Sequence, residues 1–372
     1  MKIFSYRMLL MVIGAVVLAA AVYTASGRLA GSSRLERARS LYESGDEKGA
    51  YRLFEDIYNK RPDSRLGKEA LYYLCRMGRG TTDERMALWH KFLDGEPTGD
   101  ARAAGMLELA VLYREKGENE KAIETYNGVI RSASGDGREV RAMRELASLY
   151  RSTGKLKEAR DMLESILEEH PGTPEVGEIQ NNMGEINVEA ILSRKIDEPL
   201  SLEYVVKPGD SLAKITKKFN TTVDLLKACN NKKDGTIRVN DRLKVVTADF
   251  AILIDKSQCT LSLLANGDLF KIYSVGTGRD NITPVGAFKV TDKIVEPVWY
   301  KPGGGEIPYG DPGNLLGTRW INIDLPGYGI HGTWEPETIG KQMSAGCIRL
   351  LNEDVEELFM IIPLGTPVTI VD

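Results

Sequence analysis

Near the C-terminus the chain reads Ser344-Ala345-Gly346-Cys347-Ile348-Arg349-Leu350, and shortly before it His331-Gly332-Thr333. The small residues before Cys347 leave room for a substrate carbonyl to reach the sulfur. The chain has three histidines, and only His331 lies in the C-terminal third. A thiol becomes a nucleophile when a neighbouring imidazole accepts its proton. This stretch therefore predicts Cys347 as a nucleophile and His331 as its base.

The residues around this stretch, from 249 to 372, alternate with a period of two, which is typical of β-strands. The predicted strands are residues 251–254, 260–264, 269–273, 286–290, 320–323 and 367–371. Asn266-Gly267 predicts a tight hairpin turn, and the Pro- and Gly-rich residues 302–317 predict a lid or flap. Asn352 is the predicted N-cap of a helix. This part of the chain is expected to be a mainly β domain.

A compact segment precedes it, at residues 204–247, after an expected linker at residues 196–203. It reads as a short strand at 204–206, a turn, two helices and a closing strand. Asp210 or Ser211 is the expected cap of the first helix, and Thr221 with Asp224 resembles a capping box for the second. The segment therefore predicts a βααβ unit.

Residues 33–195 read as helical, with one pattern that recurs three times. Each copy places small residues where two helices approach, a Gly in the turn between them and bulky residues in the seam. The turn glycines of the three copies are Gly45, Gly117 and Gly154. A degenerate unit is expected around residues 66–98. An array of this kind predicts a docking surface for a protein partner rather than a site of chemistry.

The N-terminus differs from the rest of the chain. Residues 8–27 carry no charge over 20 positions and follow Lys2 and Arg7, a length that can span a bilayer as a helix. Residues 1–30 are expected to be a retained membrane anchor, with a cleaved signal peptide as the alternative because Ala19-Ala20-Ala21 resembles a cleavage site. Both readings place the remainder outside the cytoplasm, in the cell envelope or periplasm, and the anchor would hold it at the inner membrane.

The net charge of −4 over 372 residues gives no basic excess that would indicate a nucleic-acid partner. The four cysteines are widely scattered, and Cys75, Cys229 and Cys259 are expected to be buried small residues. A disulfide between Cys229 and Cys259 remains open. No metal is expected at Cys347 and His331, because no further Cys or His ligand lies nearby in the sequence. No cofactor is indicated.

The C-terminal motifs resemble those of the L,D-transpeptidase family with a YkuD-type catalytic domain. They are residues 283–286 (TPVG), 314–317 (NLLG), 327–333 (GYGIHGT) and 344–350 (SAGCIRL). The resemblance implies that the Gly332 carbonyl orients His331 and that N–H groups around Gly346 and Cys347 form the oxyanion hole. Members of this family often have a second histidine where this chain has Ala345, which leaves His331 as the base.

Three further side chains near the site are expected to contact substrate. Arg349 would bind a substrate carboxylate as a bidentate pair, or it is paired inside the domain. Ser344 is taken as a substrate contact, with holding the turn as the alternative. Tyr328, inside the histidine motif, is taken as a further substrate contact.

The helical array resembles tetratricopeptide repeats, and residues 204–247 resemble a LysM module, a family that binds glycans containing N-acetylglucosamine. The resemblance assigns glycan binding to Gly209, Asp210, Ser211 and Asn230, with a spacer that no longer binds glycan as the alternative. Asn240 stands where the family usually has Gly, and Asn tolerates the positive φ required there. The chain is thus expected to be a multidomain α+β protein.

The resemblance implies a peptidoglycan enzyme of the cell envelope that influences cell shape. Cys347 would attack the third residue of a stem tetrapeptide, release D-alanine and pass the acyl group to a second stem, which gives a 3→3 cross-link. Water, a free D-amino acid or a protein lysine could replace the second stem as acceptor. The alternative of another class is a non-catalytic scaffold that binds the cell wall.

Overall fold

The structure is a computed structural model that describes residues 32–132, 137–301 and 303–372. It divides into two compact units, Met1–Leu149 and Tyr150–Asp372. The predicted anchor or signal segment at residues 1–30 lies outside the described residues. Within the described ranges, no helix is both long enough and apolar enough to cross a membrane.

The first unit is built from helical hairpins. Its helices are α1 (32–43), α2 (Glu47–Lys60), α3 (Arg65–Met77), α4 (Thr82–Asp94), α5 (Gly99–Glu115), α6 (Asn119–Ser132) and most of α7 (Gly137–Ser152), which continues past the boundary at Leu149. The small residues of the predicted pattern are buried, as Ala38, Ala50 and Ala110 show. The turn residues Gly45 and Gly117 have positive φ angles of 83° and 75°, which only Gly adopts without strain.

The degenerate unit around residues 66–98 is also a helical hairpin, formed by α3 and α4. Gly78 ends α3 in the left-handed conformation with a φ of 61°. Thr81 begins α4 with a capping box, in which its hydroxyl accepts from Glu84 N–H and the Glu84 carboxylate accepts from Thr81 N–H. The longer turn explains why this unit departs from the offsets of the other copies.

The second unit opens with two more helices, α8 (Leu156–Glu169) and α9 (Val176–Leu192). The next elements are β1 (Ser201–Val205), α10 (Leu212–Phe219), α11 (Val223–Ala228) and β2 (Arg242–Val246). β1 and β2 pair antiparallel from Ser201–Val246 to Val205–Arg242. The expected βααβ order is confirmed, but the linker at residues 196–203 is too long, because the first strand begins at Ser201.

Two cap assignments in this segment can now be compared with the structure. Ser211 caps α10 by accepting from Lys214 N–H, as expected for one of the two candidates. The cap of α11 is Thr222, which accepts from Leu225 N–H, so the capping box predicted from Thr221 and Asp224 is wrong. Asn240 has a φ of 72°, the positive value predicted for that position.

The C-terminal part forms an eight-stranded sheet with the order β13-β11-β10-β7-β14-β3-β4-β5. Its strands are β3 (Phe250–Asp255), β4 (Thr260–Ala265), β5 (Asp268–Ser274), β7 (Gly286–Val295), β10 (Arg319–Ile323), β11 (Gly329–His331), β13 (Ile348–Arg349) and β14 (Pro367–Val371). The short strands β6 (Thr277–Gly278) and β12 (Gln342–Ser344) pair separately, as do β8 (Trp299–Tyr300) and β9 (Glu306–Ile307). Short 3₁₀ helices occupy Arg279–Asn281 and Pro336–Thr338.

The predicted hairpin is confirmed, because Asn266 and Gly267 join β4 to β5 with φ angles of 55° and 96°. The helix α12 (Asn352–Ile361) is preceded by Leu351 without a side-chain cap. The prediction that Asn352 caps α12 is therefore wrong. The Asn352 side-chain Oδ1 instead accepts from Thr318 N–H at 3.1 Å.

Within the segment predicted as a lid, residues 303–317 are described, and β9 lies among them and pairs with β8 in a short hairpin. Asn314 closes the base of this segment. Its buried amide donates to the carbonyls of Pro297 and Ile307 at 2.9 and 3.0 Å and accepts from Leu316 N–H.

Candidate functional site

The site lies at one end of the sheet, where β11 and β13 run parallel. Their register pairs Ile330 with Ile348 and His331 with Arg349. Cys347 directly precedes β13, so the same register brings it beside Gly329, two residues before His331. Residues two apart on a strand share a face. The thiol of Cys347 and the imidazole of His331 are therefore presented on the same face of neighbouring strands.

A tight turn holds Cys347 in place. Gly346 has a φ of 123°, and a Cβ at that position would come within 2.8 Å of the Tyr328 ring, so only Gly fits. The Thr283 hydroxyl donates to the Gly346 carbonyl at 2.8 Å. The Ser344 hydroxyl donates to the Cys347 carbonyl at 2.6 Å. The Cys347 sulfur lies 3.6 Å from the Gly327 carbonyl.

His331 is buried and fixed by its surroundings. Its Nδ1 lies 2.6 Å from the Gly332 carbonyl. Because a carbonyl only accepts, Nδ1 carries the proton of that hydrogen bond and Nε2 keeps its lone pair. The imidazole also stacks on Trp320, with ring centroids 5.6 Å apart and an interplanar angle of 18°. The hydrogen bond fixes the tautomer, and the stacking fixes the plane of the ring.

Burial decides the protonation of both groups. Burial, against the opposing hydrogen bonds to the backbone of Gly332 and Leu316 and with a smaller lowering effect of the Arg349 charge, lowers the pKa of His331 to about 4. Burial raises the pKa of the Cys347 thiol, against smaller lowering effects of the Gly329 N–H and of Arg349. At neutral pH the site therefore holds an imidazole and a thiol, both uncharged.

The His331-Gly332 turn is backed closely by other backbone. A Cβ on Gly317 would lie 2.5 Å from the Gly332 carbonyl carbon, and one on Gly332 would lie 2.1 Å from the Asn352 amide oxygen. Gly317 also has a positive φ of 65°. The glycines of the two motifs thus allow the flap end, the histidine turn and the start of α12 to meet.

The structure corrects the assignment of Gly346 to the oxyanion hole. The Gly346 N–H donates to the Ser344 hydroxyl at 3.0 Å and is not available to a substrate. The Cys347 N–H has no hydrogen-bond acceptor within the described ranges. The candidate donor for an oxyanion is therefore Cys347 N–H. Ser344 holds the turn, the alternative considered for it, and its substrate contact is not supported.

Arg349 is paired inside the domain, so its assignment as a ligand of a substrate carboxylate is also corrected. Its Nη1 donates to Glu335 Oε2 at 2.9 Å and lies 3.5 Å from the Thr338 hydroxyl. Its Nε is buried and finds no hydrogen-bond partner in the part of the chain described. Tyr328 lies half-buried beside Gly346, where its ring lines the turn of the nucleophile.

The glycan-binding residues predicted in the βααβ segment separate into two groups. Gly209 and Ser211 are exposed. Asp210 accepts from Tyr204 OH and Lys207 N–H at 2.9 and 2.8 Å, so its carboxylate orders the turn.

Asn230 belongs to the interior of the same segment. It is buried, donates to the carbonyls of Leu226 and Lys244 and accepts from Lys244 N–H. This saturates its amide, and the prediction that Asn230 contacts glycan is corrected to an internal role. All four cysteines are free, and Cys75, Cys229 and Cys259 are buried, so the open possibility of a Cys229–Cys259 disulfide is not realised.

Two residues of the site were not assigned a role from the sequence. Thr283 was present in a quoted motif, and its hydroxyl bridges Gly278 N–H and the Gly346 carbonyl. Glu335 lies four residues after His331, and nothing in its local pattern distinguishes it from a solvated carboxylate. Its position beside Arg349 depends on the pairing of β11 with β13.

Three family models match the chain. They are the L,D-transpeptidase catalytic domain at residues 249–370, the LysM domain at residues 204–246 and the tetratricopeptide repeat at residues 101–168. YqjB of Bacillus subtilis, which carries an L,D-transpeptidase name, is 42% identical over 127 residues, which are 32% of this chain and 70% of that protein. YkuD of Bacillus licheniformis, named likewise, is 33% identical over 177 residues, which are 45% of this chain and 98% of that protein.

Solved structures of the same description also match. The solution structure of the catalytic domain of the Enterococcus faecium L,D-transpeptidase is 26% identical, with a TM-score of 0.29, and covers 33% of this chain and 97% of that one.

Proposed function

The chain belongs to the L,D-transpeptidase family, and we propose that it acts on peptidoglycan with Cys347 as nucleophile and His331 as general base. The donor is a stem tetrapeptide. The reaction releases its terminal D-alanine, and the acyl group passes to an amine of a second stem in a 3→3 link.

The first half of the reaction forms a thioester. His331 Nε2 accepts the proton of the Cys347 thiol as the sulfur attacks the carbonyl carbon of the third stem residue. The Cys347 N–H donates to the oxyanion that develops. The intermediate collapses when the bond to the D-alanine nitrogen breaks, and His331 returns the proton to that amine. D-alanine leaves and the acyl group stays on sulfur.

The second half reverses these roles. The amine of a second stem attacks the thioester carbonyl, and His331 accepts a proton from that amine. The carbon–sulfur bond then breaks, and His331 returns the proton to the sulfur. The enzyme is restored and the two stems are joined by a new amide.

One observation carries this proposal. The Gly332 carbonyl lies 2.6 Å from His331 Nδ1, which leaves Nε2 unprotonated on the face that the strand register shares with Cys347. The lowered pKa of His331, at about 4, keeps Nε2 free to accept a proton at neutral pH. A protonated imidazole could not serve as the base.

The remaining domains support the same function. The LysM module would hold glycan and raise the concentration of stem peptides around Cys347. The tetratricopeptide repeats would dock a protein partner. The two peptidoglycan-related domains favour a cell-wall or other extracytoplasmic location. Attachment to the inner membrane through residues 8–27 is part of the proposal and rests on the sequence alone.

The test is incubation of the purified protein with disaccharide-tetrapeptide and with intact sacculi, followed by mass spectrometry of the products. We expect free D-alanine and 3→3 dimers from the wild type and neither from Cys347→Ala. Cys75→Ala, which removes a buried thiol of the helical array, is the matched control and should keep full activity. D-alanine release by Cys347→Ala at the wild-type rate would refute the nucleophile assignment.

The same product analysis identifies the acceptor. A tripeptide product would indicate hydrolysis, an exchanged terminal residue would indicate a free D-amino acid as acceptor, and a stem linked to protein would indicate attachment to a lysine. Any of these in place of the dimer would replace the 3→3 link while keeping the acyl-enzyme.

A further inference from the structure

The LysM module has a charge that the rest of the chain does not share. Between residues 204 and 247 there are ten Lys and Arg residues against four Asp and no Glu, whereas the whole chain has a net charge of −4. N-acetylglucosamine is uncharged, so a groove for this sugar alone does not require a basic module. The charge therefore needs a separate explanation.

Part of the positive charge has partners in the module or in the residues directly before it. Lys232 pairs with Asp241 at 3.3 Å, and Arg242 pairs with Glu203 at 2.7 Å. Lys244 is buried, and its Nζ donates to the carbonyls of Ala190 and Ser193 at 2.7 and 3.0 Å. These residues have structural partners.

Four exposed lysines of the module have no carboxylate partner among the described residues. They lie on α10 and the turn before it and are termed here the lysine face: Lys207, Lys214, Lys217 and Lys218. Lys214, Lys217 and Lys218 have the spacing i, i+3, i+4, which places them on one side of the helix. Within the described ranges no carboxylate lies at ion-pair distance from any of the four ammonium groups.

Helix stability does not account for this arrangement. Lys217 and Lys218 in the last turn of α10 suit the helix dipole, but Lys214 lies in the first turn, where a positive charge opposes it. Like charges at i, i+3 and i, i+4 also destabilise a helix. A side chain that is unfavourable for folding at an exposed position is better explained by a ligand.

The only carboxylate in the turn cannot neutralise these charges. Asp210 accepts from Lys207 N–H and Tyr204 OH. These two hydrogen bonds hold the pKa of Asp210 below its usual value, and the charges of Lys218 and Lys207 add to the effect. Asp210 is therefore ionised but directed at the module's own backbone.

The lysine face adjoins the loop to which glycan binding is assigned. Lys214 Nζ donates to the Gly209 carbonyl at 2.7 Å, and Lys218 Nζ lies 4.9 Å from the centre of the Tyr204 ring. A glycan seated against Gly209 and Ser211 would carry its substituents past these ammonium groups. In peptidoglycan the substituents are stem peptides, which bear free carboxylates.

We propose that the lysine face binds the stem-peptide carboxylates of the strand whose glycan the LysM module holds. The inference rests on the proposed function, because it assumes that the module binds peptidoglycan. It adds that the module prefers strands carrying peptides over neutral glycan. Strands that carry acyl donors would then be retained near Cys347.

The test compares binding of two ligands to the full chain carrying Cys347→Ala, so that no turnover occurs. The anionic ligand is disaccharide-tetrapeptide and the neutral ligand is a chitin oligomer. The test variant is Lys214→Gln/Lys217→Gln/Lys218→Gln. The matched control removes three exposed lysines of the array and α8: Lys48→Gln/Lys121→Gln/Lys157→Gln. The affinity is measured by calorimetry at low and high ionic strength.

We expect the test variant to bind the tetrapeptide ligand on the order of 10-fold more weakly, as three exposed ion pairs suggest, and to bind the chitin oligomer like its parent. The control variant should bind both ligands like the parent. Without any substitution on α10, raising the salt from about 0.05 M to about 0.5 M should weaken tetrapeptide binding and leave chitin binding unchanged. Because the salt dependence is measured without the triple substitution, it tests the proposal even if the triple variant folds poorly.

Other outcomes would overturn the inference in distinguishable ways. Equal, salt-insensitive affinity for the tetrapeptide, for its methyl-esterified form and for chitin would refute carboxylate binding by the lysine face. It would leave glycan binding by the module intact. Lysine-dependent binding to phosphatidylglycerol vesicles without an effect on the tetrapeptide ligand would assign the face to a membrane instead. Absence of binding to chitin and to the tetrapeptide ligand would refute glycan binding by the module itself, while D-alanine release would still test Cys347.

Discussion

The two ends of the eight-stranded sheet each hold a cation with little solvent exposure, Lys271 and Arg349, but the two cations have different partners. At the β5 end, Lys271 Nζ lies 2.7 Å from Glu185 of α9 and 2.7 Å from Glu357 of α12. At the β13 end, Arg349 has one carboxylate partner, Glu335, and its Nε has no hydrogen-bond partner among the described residues.

The β5 end is closed by a helix. α9 packs on the edge strand so tightly that a Cβ on Gly184 would lie 2.8 Å from Lys271 Cγ. The Asn187 amide donates to the Phe270 carbonyl at 2.8 Å. Covering an edge strand in this way prevents it from pairing with another chain. The helix α9, which precedes the LysM module, is thus a structural part of the eight-stranded sheet domain.

At the β13 end, main-chain hydrogen bonds cover the edge strand, but some N–H groups have no hydrogen-bond acceptor among the described residues. Gly276 pairs with Arg349 through two main-chain hydrogen bonds of 2.8 and 2.9 Å, which protects the edge. The Cys347 N–H nevertheless has no acceptor among the described residues and is the candidate donor to an oxyanion, whereas the Arg349 Nε is buried. Polar groups with partners stabilise a fold, and an unpaired N–H beside a nucleophile can donate to a ligand. Substitutions at one end should therefore change catalysis, and at the other end stability.

The largest effect is expected from His331→Asn at the β13 end. The Asn amide can still donate to the Gly332 carbonyl, but the base Nε2 is lost. We expect the rate of D-alanine release to fall about 10³-fold, with the thermal stability at pH 7 nearly unchanged. A stopped assay of free D-alanine and a thermal melt measure the two. Activity within a few-fold of wild type would mean that another group is the base.

The same substitution should change the pH dependence of stability. The pKa of His331 is about 4 in the fold and about 6.5 in the unfolded chain. The unfolded state therefore binds a proton first as the pH falls, and stability present above about 6.5 is lost towards pH 4. The loss approaches about 3 kcal/mol. Denaturant titrations at several pH values should show this component in the wild type and not in His331→Asn.

At the β5 end, Lys271→Met should lower the free energy of unfolding. Burial acts to lower the pKa of Lys271, but its hydrogen bonds to Glu185 and Glu357 outweigh it and raise that pKa. Met fills similar space but leaves both carboxylates without their cation, at a cost of about 3 kcal/mol. The rate of D-alanine release by the folded fraction should stay unchanged. Lys289→Met, at an exposed position of β7, is the control.

These two ends differ in how much of them the sequence could predict. The candidate pair Cys347 and His331 could be named, and the Asn266-Gly267 hairpin predicted, because their signals are local, namely a motif and a two-residue turn. The caps at Thr221 and Asn352 were wrong, because neighbouring hydroxyls are equivalent in a pattern and because Thr318, 34 residues away, uses the Asn352 oxygen. The roles of Glu335 and Arg349 depend on strand register, which no local pattern specifies.

The packing of α9 on β5 was equally invisible in the sequence. Gly184 reads as a weak point of a helix, and Lys271 reads as the exposed position of a strand. Both become understandable only when the two elements meet, since the Gly gives the close approach and the Lys neutralises two carboxylates. The sequence could not separate the two candidate oxyanion donors, because the Gly346 N–H is occupied by its hydrogen bond to the Ser344 hydroxyl.

A smaller effect is expected from Gly184→Ala, which tests how closely α9 covers the edge strand. Ala favours a helix by about 1 kcal/mol over Gly, but its Cβ would contact Lys271 at 2.8 Å and its backbone at 3.2 Å, a cost of about 2 kcal/mol. The net loss should be about 1 kcal/mol in chemical denaturation. Gly177→Ala in the same helix meets nothing within 4 Å and should instead stabilise. A gain at both positions would contradict the close packing.

The smallest effect is expected from Glu335→Gln at the β13 end, which tests whether the charge of Glu335 or only its hydrogen bond to Arg349 matters. Glu335→Gln keeps an oxygen that accepts from Arg349 Nη1 and removes only the negative charge. The guanidinium, which lowers the pKa of the Cys347 thiol, should then act more strongly, and alkylation of Cys347 by iodoacetamide at fixed pH should rise about 2-fold. Arg349→Gln should change the rate in the opposite direction. If Glu335 and Arg349 served only to hold the fold, both variants would change the alkylation rate in the same direction, and the two ends of the sheet would differ only in how well they are covered.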